Sequence, residues 1–176
     1  MIPELRLGVA VLTNQESGAA FQSITWRVLD DALGAAPHDY PAIFSKIDAA
    51  ALARARRIEG EASAKRDSSS GPSLPLASYA GSYSDPWYGD VAIANENGKL
   101  MIRFSHTPSL VGDLVHWQHD TFVARWRDRE LRADAYVTFA LNPDGTVDHA
   151  TMQAVSPLTD FSFDFQDLLL TPAPAP

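Results

Sequence analysis

Residues 79–104, YAGSYSDPWYGDVAIANENGKLMIRF, decide the fold of this chain. Apolar and polar residues alternate in three short runs, and a period of two residues is typical of β-strands that bury one face. Asp85-Pro86 separates the first two runs, and Asn97-Gly98, a strong hairpin signal, separates the last two. The stretch therefore predicts the first three strands of an antiparallel sheet.

The same rhythm continues to about residue 165, with turn residues such as Asn142-Pro143-Asp144-Gly145 between the runs. Eight candidate strands share this alternation: 79–84, 88–95, 99–105, 110–118, 121–127, 133–141, 147–155 and 160–165. A set of this kind predicts an up-and-down barrel or a β-sandwich. The last residues, TPAPAP, are predicted to be disordered.

The N-terminal part has a different period. Residues 5–12, LRLGVAVL, predict a strand buried on both faces. Apolar residues at helical spacing over 21–33, followed by Gly34, predict an amphipathic helix with a glycine C-cap. A weaker apolar stripe predicts a second helix over about 41–65. Residues 67–75, DSSSGPSLP, have the composition of a linker.

Composition excludes several classes of function. The net charge is −8, and the 14 basic residues are scattered rather than clustered, which argues against a nucleic-acid partner. The absence of cysteine excludes disulfides, zinc–thiolate sites and thiol catalysis, and no motif indicates a cofactor. No apolar run has the roughly 20 residues that a membrane-spanning helix needs. The N-terminus lacks the cleavage pattern of a signal peptide, so the sequence leaves the location open.

The run His116-Trp117-Gln118-His119-Asp120 is the one candidate for a metal site. Histidine and aspartate are common ligands, but residues three apart on a strand face opposite sides. We therefore predict a structural role, with Asp120 capping a turn, either His116 or Trp117 facing the core and His119 facing water. No metal is predicted.

Aromatic residues of the β-region suggest either a filled interior or a pocket for an apolar ligand, and the filled interior is favoured because a barrel of eight strands has little spare room. Trp87 and Tyr88, which follow a turn, and His116 and Trp117 are the candidate binding residues, for domain docking or for a pocket. The acidic residues Asp30, Asp31, Asp128 and Glu130 are expected to be solvated.

Two segments resemble parts of one known protein family. Residues 7–34, LGVAVLTNQESGAAFQSITWRVLDDALG, resemble the last strand and C-terminal helix of serine β-lactamase and penicillin-binding-protein-like hydrolases. Residues 79–104, continued by LVGDLVHWQHDTFVARW, resemble the lipocalin-like domain of unknown function that often follows the hydrolase domain. The motifs Y-A-G-x-Y, Y-G-x-V-x-I, N-G-K-L and D-L-x-H-W-x-x-D-x-F carry this second resemblance.

The resemblance implies a mainly β fold, an eight-stranded antiparallel lipocalin-like barrel with an N-terminal strand–helix–helix appendage. The expected parts are a remnant of the hydrolase domain (1–34), a helix and linker (35–75), the barrel (76–167) and a disordered tail (168–176). Active family members use S-x-x-K, Y-x-N and K/H-x-G motifs, and this sequence has no usable set. It therefore resembles the C-terminal part of such a bacterial protein, truncated and not itself an enzyme.

The resemblance further implies an accessory role beside a hydrolase catalytic domain, in packing, assembly or substrate access. Self-association through residues 5–12 and the 21–33 helix is a second expectation for partners. Binding of a small apolar ligand inside the barrel is the alternative function. Members of the parent family are often periplasmic or secreted.

Overall fold

The computed structural model describes residues 1–14 and 17–174. The chain divides into two compact units, Met1–Arg56 and Arg57–Pro176. A long helix crosses from one unit into the other, so the boundary falls inside a helix and not at the proline- and serine-rich stretch 67–75.

The first unit is helical. Helix α1, Gly18–Leu33, begins after Ser17, whose hydroxyl accepts a hydrogen bond from Ala20 N, and ends at Gly34 in the left-handed conformation (φ 64°). Helix α2, Tyr40–Lys65, begins after Asp39, whose carboxylate accepts a hydrogen bond from Ala42 N at 3.0 Å. Both predicted helices are confirmed, and side-chain caps on free N–H groups explain where they start.

The second unit contains a closed barrel of eight strands, each paired antiparallel with its neighbours. The strands are β1 Gly81–Asp85, β2 Gly89–Glu96, β3 Lys99–Phe104, β4 Val111–Gln118, β5 Thr121–Trp126, β6 Ala135–Leu141, β7 Val147–Ala154 and β8 Leu169–Ala173. Pairing of Ser82 with Ala173 and of Ser84 with Thr171 joins β8 to β1 and closes the ring. The predicted mainly β fold, an antiparallel barrel preceded by helices, is confirmed.

Large aromatic side chains fill the barrel. Strand residues alternate between the buried interior and the outer face, as the two-residue period requires. The buried aromatic residues of the core are Tyr79, Tyr83, Phe104, Phe122, Trp126, Phe139 and Phe165. Gly112 makes room for one of them, because a Cβ built there would lie 2.7 Å from the Arg125 carbonyl oxygen and 2.9 Å from the Trp126 ring.

The eighth strand lies later in the chain than predicted. Residues 160–164 form a loop that leads into a 3₁₀ helix, Phe165–Asp167. Phe161 is 89% exposed while Phe165 is fully buried, so the phenylalanines do not share one face. The strand that closes the barrel is β8, with Leu170 buried inside and Pro172 paired with Tyr83. The prediction of a disordered tail is therefore wrong for Leu169–Ala173, and residues 175 and 176 lie outside the described residues.

The strand predicted at residues 5–12 does not form. Pro3–Leu5 is a short 3₁₀ helix, and a single bridge joins Ile2 to Leu7. A strand with two apolar faces needs neighbours on both edges, and the strands of the barrel pair with one another in a ring that offers no free edge. Self-association through residues 5–12 stays a prediction, although the strand on which that prediction was based is not present.

Candidate functional site

The topology sends alternate turns to opposite ends of the barrel. The β1–β2, β3–β4, β5–β6 and β7–β8 connections lie at one end, which we call the rim, and the remaining turns lie at the other end, the base. Trp87 and Tyr88 belong to the rim, whereas His116 and Trp117 lie at the end of β4 toward the base. The four predicted binding residues therefore do not form one site.

Asp85 organises the rim. Its side chain is only 6% exposed, and its carboxylate accepts hydrogen bonds from the backbone N–H groups of Trp87, Tyr88 and Leu169 at 2.8–3.0 Å. Burial alone raises the pKa of this carboxyl, but the three N–H donors outweigh burial and hold the pKa below its ordinary value. A buried anion thus fixes both the β1–β2 turn and the start of β8.

The indole of Trp87 projects from this turn and is 71% exposed. Beside it lies a rim pocket of about 340 Å³ lined by Tyr88, His106, Leu110 and Phe163 among others. His106 fits closely against Gly89, where a Cβ would lie 2.3 Å from its ring. The rim therefore presents an exposed aromatic side chain, on a turn fixed by Asp85, next to a mostly apolar depression.

The residues of the predicted metal candidate hold the base of the barrel. His116 Nε2 donates a hydrogen bond to the carbonyl oxygen of His119 at 2.9 Å, and its ring packs edge-on against Phe122. Asp120 accepts hydrogen bonds from Ser73 N (2.9 Å), from the Ser73 hydroxyl (2.8 Å) and from the Tyr79 hydroxyl. Among residues 1–14 and 17–174, no group of three or more His, Asp or Glu side chains is arranged to hold a metal ion.

The network at the base shifts two pKa values. Burial raises the pKa of Asp120, but the hydrogen bonds from Tyr79 and Ser73 lower it by more, so the pKa of Asp120 lies below its ordinary value. Burial, reinforced by the hydrogen bond to Asp120, raises the pKa of Tyr79 to about 12. Both shifts favour an ionised Asp120 carboxylate bonded to a protonated Tyr79 phenol. Such a pair is expected in a hydrogen-bond network that holds structure together.

The stretch 67–75, expected to be a linker, is bonded to the base. Besides Ser73, Asp67 N donates to the Gln118 side chain at 2.7 Å, and the Ser70 hydroxyl accepts from His119 N at 2.9 Å. Leu74 N donates to the Tyr79 hydroxyl at 3.1 Å. This segment therefore covers the base as part of the barrel domain.

Trp117 lines a third region, on the outside of the barrel. The end of α2, strands β4 to β7 and Gln166 of the β7–β8 connection line an open groove of about 620 Å³, which we call the outer groove. Its lining residues are Ala62, Lys65, Trp117, Gln118, Thr121, Tyr136, Thr138, Thr151, Met152, Gln153 and Gln166. Arg66 holds Trp117 in place, with its guanidinium carbon 4.7 Å from the ring centre and its Nε donating to the Trp117 carbonyl at 2.6 Å.

Two of the acidic residues expected to be solvated, Asp30 and Asp31, differ in their burial and in their partners. Asp30 is only 8% exposed and bonds to His38 at 3.2 Å, so the expectation that it is solvated is wrong. Burial raises its pKa, but hydrogen bonds from Tyr40 and His38 bring it below the ordinary value. Its neighbour Asp31 is exposed and forms an ion pair with Arg27 four residues earlier in α1. Asp30 thus links the start of α2 to α1 and makes no catalytic pair.

Comparison with known proteins shows where this barrel domain belongs. Residues 65–172 match the family described as Domain of unknown function (DUF3471). The chain belongs to the DUF3471 family. The DUF3471 match runs from the last residue of α2 to β8, so it includes the 67–75 segment that covers the base. The resemblance to a domain of unknown function is thereby confirmed.

A solved structure is also similar to the DUF3471 domain. It is the crystal structure of the C-terminal domain of penicillin binding protein Rv0907, at 22% identity and a TM-score of 0.45, over 62% of this chain and 94% of that one. No curated protein matches the chain. Within the described part of the chain, neither helix is long and apolar enough to cross a membrane.

Sequence reasoning missed the roles of Asp85 and Arg66, and it counted Tyr136 only among the aromatic residues of the barrel that could line a pocket. Asp85 had a readable signal, since an Asp-Pro pair that opens a turn commonly bonds to N–H groups two or three residues later. Arg66 had none, because its importance depends on where α2 ends against the barrel. No periodic pattern in the sequence encodes that placement.

Proposed function

We propose that this DUF3471 domain is a non-catalytic accessory domain that docks, through its rim, on the catalytic domain of a penicillin-binding-protein-like serine hydrolase. One observation carries the proposal: the buried Asp85 carboxylate fixes the turn from which Trp87 projects. A large, exposed aromatic side chain that projects from a fixed backbone turn resembles the anchor residues of protein interfaces. The rim pocket beside it offers a place for a partner side chain.

The chemistry of the other polar residues supports a non-catalytic role. The sequence has no usable S-x-x-K, Y-x-N and K/H-x-G set. Asp85, Asp120 and His116, the polar groups nearest to the predicted sites, bond to backbone groups or to structural side chains. Each of these groups is committed to holding a turn.

The alternative, a barrel that binds a small apolar ligand in its interior, is less well supported. Seven aromatic side chains, from Tyr79 to Phe165, occupy the space that such a ligand would need. Displacing them would leave large buried surfaces without contacts, which costs several kcal/mol for each large side chain.

Titration of the full chain with a purified penicillin-binding-protein-like catalytic domain tests the docking proposal. We expect binding that Trp87→Ala weakens at least tenfold, as loss of an interface anchor implies. Val115→Ala, which trims an exposed apolar side chain on β4, serves as the control and should leave the affinity unchanged. Equal affinity of the Trp87→Ala and wild-type chains, or no binding at all, would reject docking through the rim.

A further inference from the structure

We propose that the outer groove is a binding site for a neutral oligosaccharide. The groove runs along the outside of the barrel and does not include Trp87 or the rim pocket, and the proposal is independent of docking. It rests on the geometry of the groove floor, on a lining with a single charged side chain and on its two aromatic side chains.

The floor of the groove is a ladder of hydroxyl and amide groups. Gln118 pairs with Thr121, Thr121 with Thr138, and Thr138 with Thr151, so these four residues form one row across β4 to β7. The hydroxyl oxygens of Thr121 and Thr138 are 3.0 Å apart. Gln153, the partner of Tyr136, extends the polar surface in the next row.

These groups match the chemistry of a sugar. A hydroxyl or a primary amide can both donate and accept hydrogen bonds, and sugar hydroxyls require both. A row of such groups at the spacing of neighbouring strands, about 4.7–4.9 Å, gives repeated contacts to a ligand with several hydroxyls. The row therefore suits a polyhydroxylated ligand better than an apolar one.

Two aromatic residues supply the apolar contact that a sugar ring also needs. The Trp117 and Tyr136 rings lie 5.4 Å apart, edge to face. The negative face of an aromatic ring attracts the weakly positive C–H groups of a pyranose. Arg66 stacks on the Trp117 ring and bonds to the Trp117 carbonyl, which restrains the indole before any ligand binds and lowers the entropic cost of binding.

Charge and size exclude the main competing ligands. Lys65 is the one permanently charged side chain among the lining residues, whereas phosphate-rich ligands call for several cations. A lipid or an apolar drug-like ligand calls for a largely apolar pocket. The volume of about 620 Å³ lies within the roughly 300–1,000 Å³ of small-ligand sites, enough for a short oligosaccharide.

Fluorescence and NMR titrations of the full chain with cellotriose and with chitotriose test this proposal. Cellotriose carries only hydroxyls, whereas chitotriose adds acetamido groups that can pair with Gln118 or Gln153. We expect at least one probe to shift the Trp117 emission and the amide signals of β5 to β7, and Trp117→Phe to abolish the emission change. Inorganic phosphate should cause no shift.

Variants locate the site. Gln153→Ala and the double change Thr138→Val with Thr151→Val, all on the outer face of strands, should weaken binding about tenfold because each removes hydrogen-bonding groups. Glu96→Ala, which truncates an exposed side chain of β2 outside the groove, should have no effect. Absence of binding by both sugars, or binding that these groove variants do not weaken, would overturn the proposal and leave the threonine row as ordinary strand surface.

Discussion

The Tyr79 hydroxyl donates a hydrogen bond to the Asp120 carboxylate, 41 residues further along the chain. Both residues belong to motifs that carried the family resemblance, the Y-A-G-x-Y opening and the D-x-F end of the longer run. Ser73 adds two more hydrogen bonds to the same carboxylate. These motifs therefore meet in one network that holds the base of the barrel.

Tyr79→Phe tests this network. Loss of a hydrogen bond to a charged acceptor should lower the free energy of unfolding by about 1.5–3 kcal/mol, measured by urea denaturation. Tyr83→Phe, which loses only the bond from its hydroxyl to the Tyr79 carbonyl at 2.8 Å, should cost about 1 kcal/mol. Equal losses in the two variants would contradict a special role for the pair.

Acid titration probes the carboxylates of Asp85 and Asp120. The folded pKa values of Asp85 and Asp120 are lower than ordinary, so their contribution is complete above the unfolded pKa of about 3.9 and is lost as pH falls through the folded pKa. Unfolding monitored by circular dichroism should show stability falling below about pH 4. Tyr79→Phe should reduce this dependence, because the bond that lowers the pKa of Asp120 is gone.

At alkaline pH the free energy of unfolding should change in the opposite direction and fall as pH rises. Burial raises the pKa values of Tyr79 and Tyr83 to about 12, against an unfolded value of about 10. Their contribution is complete below the unfolded pKa and is lost as pH rises toward the folded one. Ultraviolet difference spectra should show two tyrosines ionising late, together with unfolding, and early ionisation of all tyrosines would contradict the burial.

Gly112→Ala and Gly60→Ala form a matched pair. The Cβ at position 112 would meet the Arg125 carbonyl and the Trp126 ring, whereas nothing lies within 4 Å of the Cβ position at Gly60. Overpacking should lower the free energy of unfolding by about 1–3 kcal/mol in Gly112→Ala. Gly60→Ala, inside α2, should raise it by about 0.5–1 kcal/mol. Thermal melts of both variants decide the comparison.

Labelling with a fluorescent penicillin checks the non-catalytic role. Because no serine stands in an S-x-x-K motif, we expect no covalent adduct on the full chain by mass spectrometry, while an active penicillin-binding protein labels in parallel. An acylated serine at any position would refute the proposed function.

The sequence predicted the barrel well where local chemistry determines structure. Asn97 and Gly98 both have positive φ, 53° and 77°, as the hairpin signal requires. Strands β2 to β7 lie within two residues of their predicted limits. Each of these strands is bounded by turns whose residues have a direct conformational preference.

The predictions from sequence failed where pairing between strands far apart in the chain determines the structure. Phe161, Phe163 and Phe165 alternate as a strand would, yet the last strand is β8, which contains Pro172 and resembles a flexible tail. Only the requirement that one strand bridge β7 and β1 selects it. The outer groove escaped prediction for the same reason, since its residues come from a helix, four strands and the β7–β8 connection.

The pairing of β1 with β8 also has a consequence for synthesis of the chain. Thr171 bonds to Ser84, a residue translated 87 positions earlier. During translation the edge of β1 stays unpaired until β8 has been made, and an unpaired edge can join the wrong strand. The barrel can close only after β8 has left the ribosome, so its first and last strands are the last to pair. A chaperone that shields β1 would act in that interval.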